Sequence, residues 1–197
     1  MSNKFRNLYG SKGLKDWYCK NVKHISPLVL GVLLEDIPVV EKMIDLGAKR
    51  NKRTSARTYP ISIAAQTKNI AMQQLLLGVP YQDNLQQRNF IIDLSEQQVY
   101  FYKGGKLYKK VRCSTGKGGY RTRKGMYVIS NKQRHKRSNI YGSSMPYFQR
   151  FSCDDFGFHY GNIGRSFASH GCIRLSMSSA RSFFSNSKVG DRVLIRP

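Results

Sequence analysis

The sequence predicts an α+β protein, with a small all-α region over residues 1–80 and a mostly-β domain over residues 90–197. Three observations carry this. Helix-type apolar patterns in residues 26–80 repeat at a spacing of 33. From Phe90 onward the apolar runs shorten to strand length and fill with Val, Ile, Tyr and Phe. Between these regions, residues 81–89 are polar and form a linker.

Residues 1–23 are basic and polar, and Gly13 to Lys23 is helix-like, suited to cap the repeats on its C-terminal side. Ser26-Pro27-Leu28 then recurs as Tyr59-Pro60-Ile61. In the first unit Val39, Val40, Met43, Ile44 and Leu46 lead to Gly47-Ala48; in the second Ile70, Met72, Leu75, Leu76 and Leu77 lead to Gly78. Proline suits a first helical turn, and glycine suits the turn after a helix.

The 33-residue period, the Ser26-Pro27-Leu28 start and the Leu46-Gly47-Ala48 end resemble ankyrin repeats, at about 26–58 and 59–80. The pattern departs at Val29, where the family has His, and at Val79-Pro80, where Gly-Ala does not recur. Two units are fewer than the roughly three that bury a solenoid core, so flanking segments must close it. Such a region offers a surface to a protein partner or merely buttresses its neighbour, and repeat architecture leaves that choice open.

Strand signals begin at Phe90-Ile91-Ile92-Asp93-Leu94. Val99-Tyr100-Phe101-Tyr102 and Lys106-Leu107-Tyr108 flank Gly104-Gly105, a two-residue hairpin signal. Met126 to Ile129 and Arg192 to Ile195 are further strands, and Ser178 to Phe184 is a short helix capped by Ser176 or Ser178.

Thirty-four Lys and Arg against 11 Asp and Glu give a net charge of +23, which attracts nucleic acid, anionic lipid or an acidic cell-wall polymer. Basic residues are dense from Lys103 to Arg137. Most such runs are solvated faces, and no nucleic-acid-binding motif accompanies this one, so nucleic acid is disfavoured as a partner. The Gly-rich loop from Ser114 to Gly125 lacks the residue order of a phosphate loop, because Lys124 precedes its glycine. No apolar run approaches the roughly 18 residues of a transmembrane segment. Leu28 to Leu34 has the apolarity of a signal-peptide core, but it comes after a long basic stretch and runs into Glu35-Asp36 without a small-residue cleavage site.

The chemistry concentrates in Ser169-His170-Gly171-Cys172-Ile173-Arg174-Leu175, with His159 eleven residues before His170. A thiol is mostly protonated at neutral pH, and a nearby histidine that takes its proton completes the minimum kit for a covalent acyl intermediate. Gly171 permits close backbone approach, so the N–H of Cys172, with that of Gly171, can face a developing oxyanion. Three other readings stand beside this one: a buried structural cysteine, a zinc site with His159 and His170, or a disulfide to Cys19, Cys113 or Cys153. No CxxC or HxxxH pair supports zinc.

The segment Ser169 to Leu175 resembles the signature of the L,D-transpeptidase catalytic domain, the YkuD-type fold. Met145-Pro146-Tyr147-Phe148, Gly157-Phe158-His159 and Gly164 to His170 strengthen the likeness, which runs from about Phe90 to Pro197. One departure is Arg123-Lys124, where the family carries a proline after its threonine; this bears on loop shape and specificity. The resemblance implies a peptidoglycan stem peptide as substrate, Cys172 as nucleophile and His159 as general base and acid. The attacked bond joins the L-centre third residue to D-Ala at position four. His170 would orient the loop or shape the oxyanion site, and Ser169 would hold His170 or His159 in its tautomer. Arg174 would pair with a substrate carboxylate, while Gly171 and Tyr147 complete the candidate binding and oxyanion set. It implies no cofactor and no metal, and places the activity at the cell wall, with the export route open. A binding protein with a degenerate enzyme domain, or a delivered cell-wall toxin with L,D-carboxypeptidase activity, are the alternatives.

Overall fold

The computed structural model describes residues 11–80, 88–139, 141–153, 156–164 and 167–197. Contacts divide the chain into two compact units, Met1–Tyr81 and Gln82–Pro197. Most of the expected linker, residues 81–87, lies outside the described residues, as do Arg165 and Ser166 of the upstream motif.

The first unit is helical. α1 (Ser11–Asn21) precedes two helix pairs, α2 (Pro27–Leu34) with α3 (Ile37–Asp45), and α4 (Pro60–Gln66) with α5 (Ile70–Leu77). Pro60 and Ile70 each fall 33 residues after Pro27 and Ile37, so the sequence period is also the period of the helices. Local chemistry sets the starts. Ser26, Asp36 and Asn69 side chains accept from Val29, Val39 and Met72 N–H groups at 3.3, 3.0 and 2.9 Å. Proline occupies the first turn of α2, α3 and α4. None of these helices is long enough to persist alone, so the buried cluster must hold them. That cluster joins Leu14 and Tyr18 of α1 to Val32, Val40, Ile63 and Met72. The buried Tyr18 hydroxyl bonds Thr58, which in turn bonds Thr54 at 2.8 Å. The N-terminal helix thus closes one side of the core, as its sequence suggested. The unit also carries a cleft lined by Ile25, Leu28, Met43 and Leu46, with His24, Lys49, Lys52 and Arg53 among its charged or polar residues.

The second unit is built on an eight-stranded sheet in the order β3-β2-β1-β10-β5-β6-β7-β9. Its strands are β1 (Asn89–Asp93), β2 (Gln98–Lys103), β3 (Lys106–Arg112), β5 (Gly125–Gln133), β6 (Phe148–Phe151), β7 (Gly157–Tyr160), β9 (Ile173–Leu175) and β10 (Arg192–Arg196). β4 (Thr115–Gly116) and β8 (Phe167–Ser169) form a separate parallel pair. Helix α6 (Met177–Asn186) supplies Phe183, whose ring lies 5.2 Å from Phe90, 5.5 Å from Phe101 and 5.7 Å from Phe158. Phe90 and Phe101 stack at 4.1 Å across β1 and β2. This aromatic core ties the sheet to its helix.

Two basic features are structural. The edge strand β3 carries Lys106, Lys109 and Lys110, a charge arrangement that discourages edge-to-edge pairing. Lys132 sends its ammonium to the Phe184 and Ser187 carbonyls, at 2.5 and 2.6 Å, and so caps α6. Burial holds its pKa below the usual lysine range. The cluster 132–137 is therefore not wholly a solvated face.

The core makes a definite demand on stability. Phe90→Ala, emptying the centre of the aromatic cluster, should cost about 3–5 kcal/mol. Lys106→Ala on the exposed edge should stay within about 0.5 kcal/mol. Urea denaturation followed by circular dichroism measures both.

Candidate active site

The site grows from the parallel pairing of β7 with β9. The register sets Phe158 opposite Ile173 and His159 opposite Arg174. Successive strand residues face opposite ways, so the two pairs part company. Phe158 and Ile173 are fully buried, on the side that meets Phe183. His159 and Arg174 line a cavity of about 100 Å³ on the other side, together with Phe148, Met145, Lys136, Tyr141, Ser169, His170 and Cys172. Cys172 immediately precedes β9, whose Arg174 is also bridged to Ser114 by two backbone bonds of 2.8 and 3.0 Å.

His159 is 7% exposed. Its Nδ1 lies 2.7 Å from the Tyr160 carbonyl oxygen, which can only accept. The proton of the neutral ring therefore sits on Nδ1, and Nε2 keeps its lone pair. Burial, opposed by the Tyr160 bond and reinforced by the Arg174 charge, pulls the pKa down to about 4. His159 is therefore neutral throughout the ordinary pH range. Burial sorts the other cysteines: Cys113 is fully buried, with its thiol pushed up to about 12, Cys153 is buried, and Cys19 lies in the helical unit. Cys172 is half-buried and shares the His159 cavity.

The loop between β8 and β9 is bound from both sides. Ser169 Oγ donates to the Cys172 carbonyl and accepts from the Gly171 N–H at 3.1 Å. Thr122 Oγ1 donates to the Gly171 carbonyl and accepts from the Gly116 N–H, both at 2.9 Å. Gly171 sits at φ +109°, where a side chain would be strained. Gln97 holds Thr115 in turn: its amide nitrogen donates to Thr115 Oγ1 at 2.7 Å, and its oxygen accepts the Thr115 N–H at 3.0 Å. Where the family pattern has proline, the Tyr127 hydroxyl donates to the carbonyls of Arg123 and Lys124 at 3.3 and 3.1 Å.

Several expectations change. Ser169 does not hold a histidine tautomer; it clamps its own loop, and Tyr160 sets the tautomer of His159. The Gly171 N–H is engaged by Ser169, so it is not aimed at an oxyanion. Tyr147 is outside the cavity: it precedes β6 with a left-handed φ of +56°, and its ring packs on Phe184 at 5.6 Å, while Phe148 lines the cavity. His170 is exposed and lies between Tyr120 and Tyr141, at ring distances of 4.3 and 4.6 Å. Desolvation, then the charges of Lys117 and Arg174, lower its pKa. Sequence reasoning missed Gln97, Thr122 and Lys136. The threonine of the family's Thr-Pro pair was the signal for Thr122; Gln97 and Lys136 had none.

The L,D-transpeptidase catalytic domain model, YkuD, matches residues 87–195. The chain belongs to this family. Solved structures agree in fold. An L,D-transpeptidase (Yku) from Stackebrandtia nassauensis shares 18% identity at TM-score 0.55, covering 96% of this chain and 92% of that one. An Enterococcus faecium L,D-transpeptidase, solved as a cysteine-to-serine mutant, shares 22% identity at TM-score 0.52, with 57% and 50% covered. L,D-transpeptidase 3 from Mycobacterium tuberculosis, in complex with a faropenem-derived adduct, shares 20% identity at TM-score 0.51, with 56% and 60% covered. The chain thus spans 50% and 60% of the lengths of the last two. No curated protein matches the chain. Among the described residues, no helix of this L,D-transpeptidase-family chain is long and apolar enough to cross a membrane.

The buried histidine has a consequence for stability. Its pKa is near 4 folded and about 6.5 unfolded, so between these values the unfolded chain binds more protons. Stability should be constant in this respect above pH 6.5 and fall as pH drops toward 4, by up to about 3 kcal/mol. His159→Gln should flatten that part of the curve, as read by denaturation midpoints at stepped pH.

Proposed function

We propose that the protein is a cysteine acyltransferase acting on peptidoglycan stem peptides. The observation that supports this most is the shared cavity of Cys172 and a buried, neutral His159 whose Nδ1 proton is already committed to Tyr160. Nε2 of His159 takes the Cys172 proton as sulfur attacks the carbonyl of the third residue, before D-Ala at position four. The tetrahedral oxyanion is met by the Cys172 N–H. Collapse breaks the C–N bond, and His159 returns the proton to the departing D-Ala amine. The thioester then passes to an amine acceptor, giving a cross-link or an exchanged D-amino acid, or to water, giving a trimmed peptide.

The cavity lining favours an anionic peptide. Among the described residues, Lys136 and Arg174 line it and no carboxylate does. Arg174 can pair a substrate carboxylate through its planar fork. His170, between two tyrosine rings, orients the loop at the cavity. The site of action is the cell wall.

We also propose that the helical unit is ankyrin-like and binds a protein partner. The equal offset of its two helix pairs supports this, as does its cleft, where the described lining residues include Lys49, Lys52 and Arg53 and no carboxylate.

Mutation, digestion and truncation test these proposals. Cys172→Ala should abolish turnover and labelling by a carbapenem, while Cys19→Ala, Cys113→Ala and Cys153→Ala retain both. His159→Ala should lose about 100-fold or more. Digestion of a disaccharide-tetrapeptide with and without D-Met, read by mass spectrometry, should yield tripeptide, a D-Met adduct or a dimer; an unchanged muropeptide from a carbapenem-reactive protein would refute the substrate. A chain starting near Asn84 should fold, keep activity on a small soluble donor, and lose the partner; a folded but inactive truncation would instead make the helices part of the site.

A further inference from the structure

The geometry points to Thr122 as the positioning residue that aims the Cys172 N–H at the reacting carbonyl. This rests on Cys172 being the nucleophile, as proposed above. A trans peptide is planar, and its C=O and N–H point in opposite directions. The Gly171 carbonyl and the Cys172 N–H belong to the same plane, and no described peptide is cis. Thr122 Oγ1 binds that carbonyl at 2.9 Å. The Cys172 N–H is therefore turned away from Thr122. Ser169 Oγ engages the neighbouring Gly171 N–H at 3.1 Å, which removes it from the donor set. The Thr122 clamp sets the direction of the Cys172 N–H.

The clamp is itself anchored. Thr122 is 6% exposed, and its hydroxyl accepts from the Gly116 N–H while donating to Gly171. Gly116 pairs with Ser169 across the β4–β8 ladder, so both ends of the loop refer to one frame. Thr115, next to Gly116, is held by Gln97 of the β1–β2 turn. A Cβ at Gly116 would come within 2.0 Å of the Tyr120 carbonyl oxygen, so only glycine lets the Thr122 segment approach this closely. A hydroxyl that donates and accepts at once is what the arrangement requires. Valine has the same shape and can do neither.

A merely structural threonine and a positioning one differ in which reactions they affect. Acylation by a carbapenem builds an oxyanion and needs the aimed N–H. Alkylation by iodoacetamide is a displacement at a saturated carbon; it needs the thiolate but no oxyanion donor. In Thr122→Val the acylation rate should fall about 10- to 100-fold. The rate and pH profile of alkylation at Cys172, mapped by mass spectrometry, should stay within about twofold, because His159 is untouched. Thr122→Ser, which keeps the hydroxyl, should restore acylation. Equal losses in both reactions, no loss in either, or failure of Thr122→Ser to restore the rate would overturn the inference. A wild-type protein that is alkylated at Cys172 but never acylated would overturn the proposed function, and this inference with it.

Discussion

The parallel register of β7 on β9 is the constraint on which the site depends. It places His159 opposite Arg174 and Phe158 opposite Ile173. Alternation then sends one pair into the aromatic core and the other into the cavity. A shift by one residue would exchange them, burying a cation and exposing Phe158. The core around Phe90, Phe101 and Phe183 therefore does more than stabilise the domain, since it holds the register that presents the histidine.

Burial and hydrogen bonding divide the chemistry among groups of the same type. Cys113 is an inert thiol because burial disfavours its charged form, and Cys172 is half-buried at a cavity. His159 is buried and loses its charge; His170 is exposed between two tyrosines. Arg174 matters to both histidines, since its charge lowers each. The cations are divided in the same way: Lys132 caps a helix, and the lysines of β3 guard a sheet edge. Part of the basic character thus has structural work, and among the described residues Lys136 and Arg174 line the cavity.

The loop carrying Cys172 has few regular contacts of its own, yet its geometry is closely determined. Ser169 closes it internally, and Thr122 fixes its outer carbonyl. Gln97 and Thr115 extend that support toward the first hairpin. Residues far apart in sequence, such as Gln97 and Gly171, serve one peptide plane.

The sequence alone determined whatever depends on neighbours along the chain. Proline marked the starts of α2 and α4, Ser176 marked the cap of α6, Gly104-Gly105 marked a hairpin, and the Ser169 to Leu175 segment marked the family. These signals are local because capping, turn geometry and motif spacing act over a few residues. Tertiary structure alone decided which partners those residues meet. The short strands β6, β7 and β9 carry too little periodicity to announce themselves, and their pairing, not their composition, brings Phe148, His159 and Arg174 to one cavity. Ser169 and Thr122 illustrate the same limit. A hydroxyl bonds whatever acceptor the fold brings within reach, and no pattern in the chain specifies that the acceptors would be the Cys172 and Gly171 carbonyls.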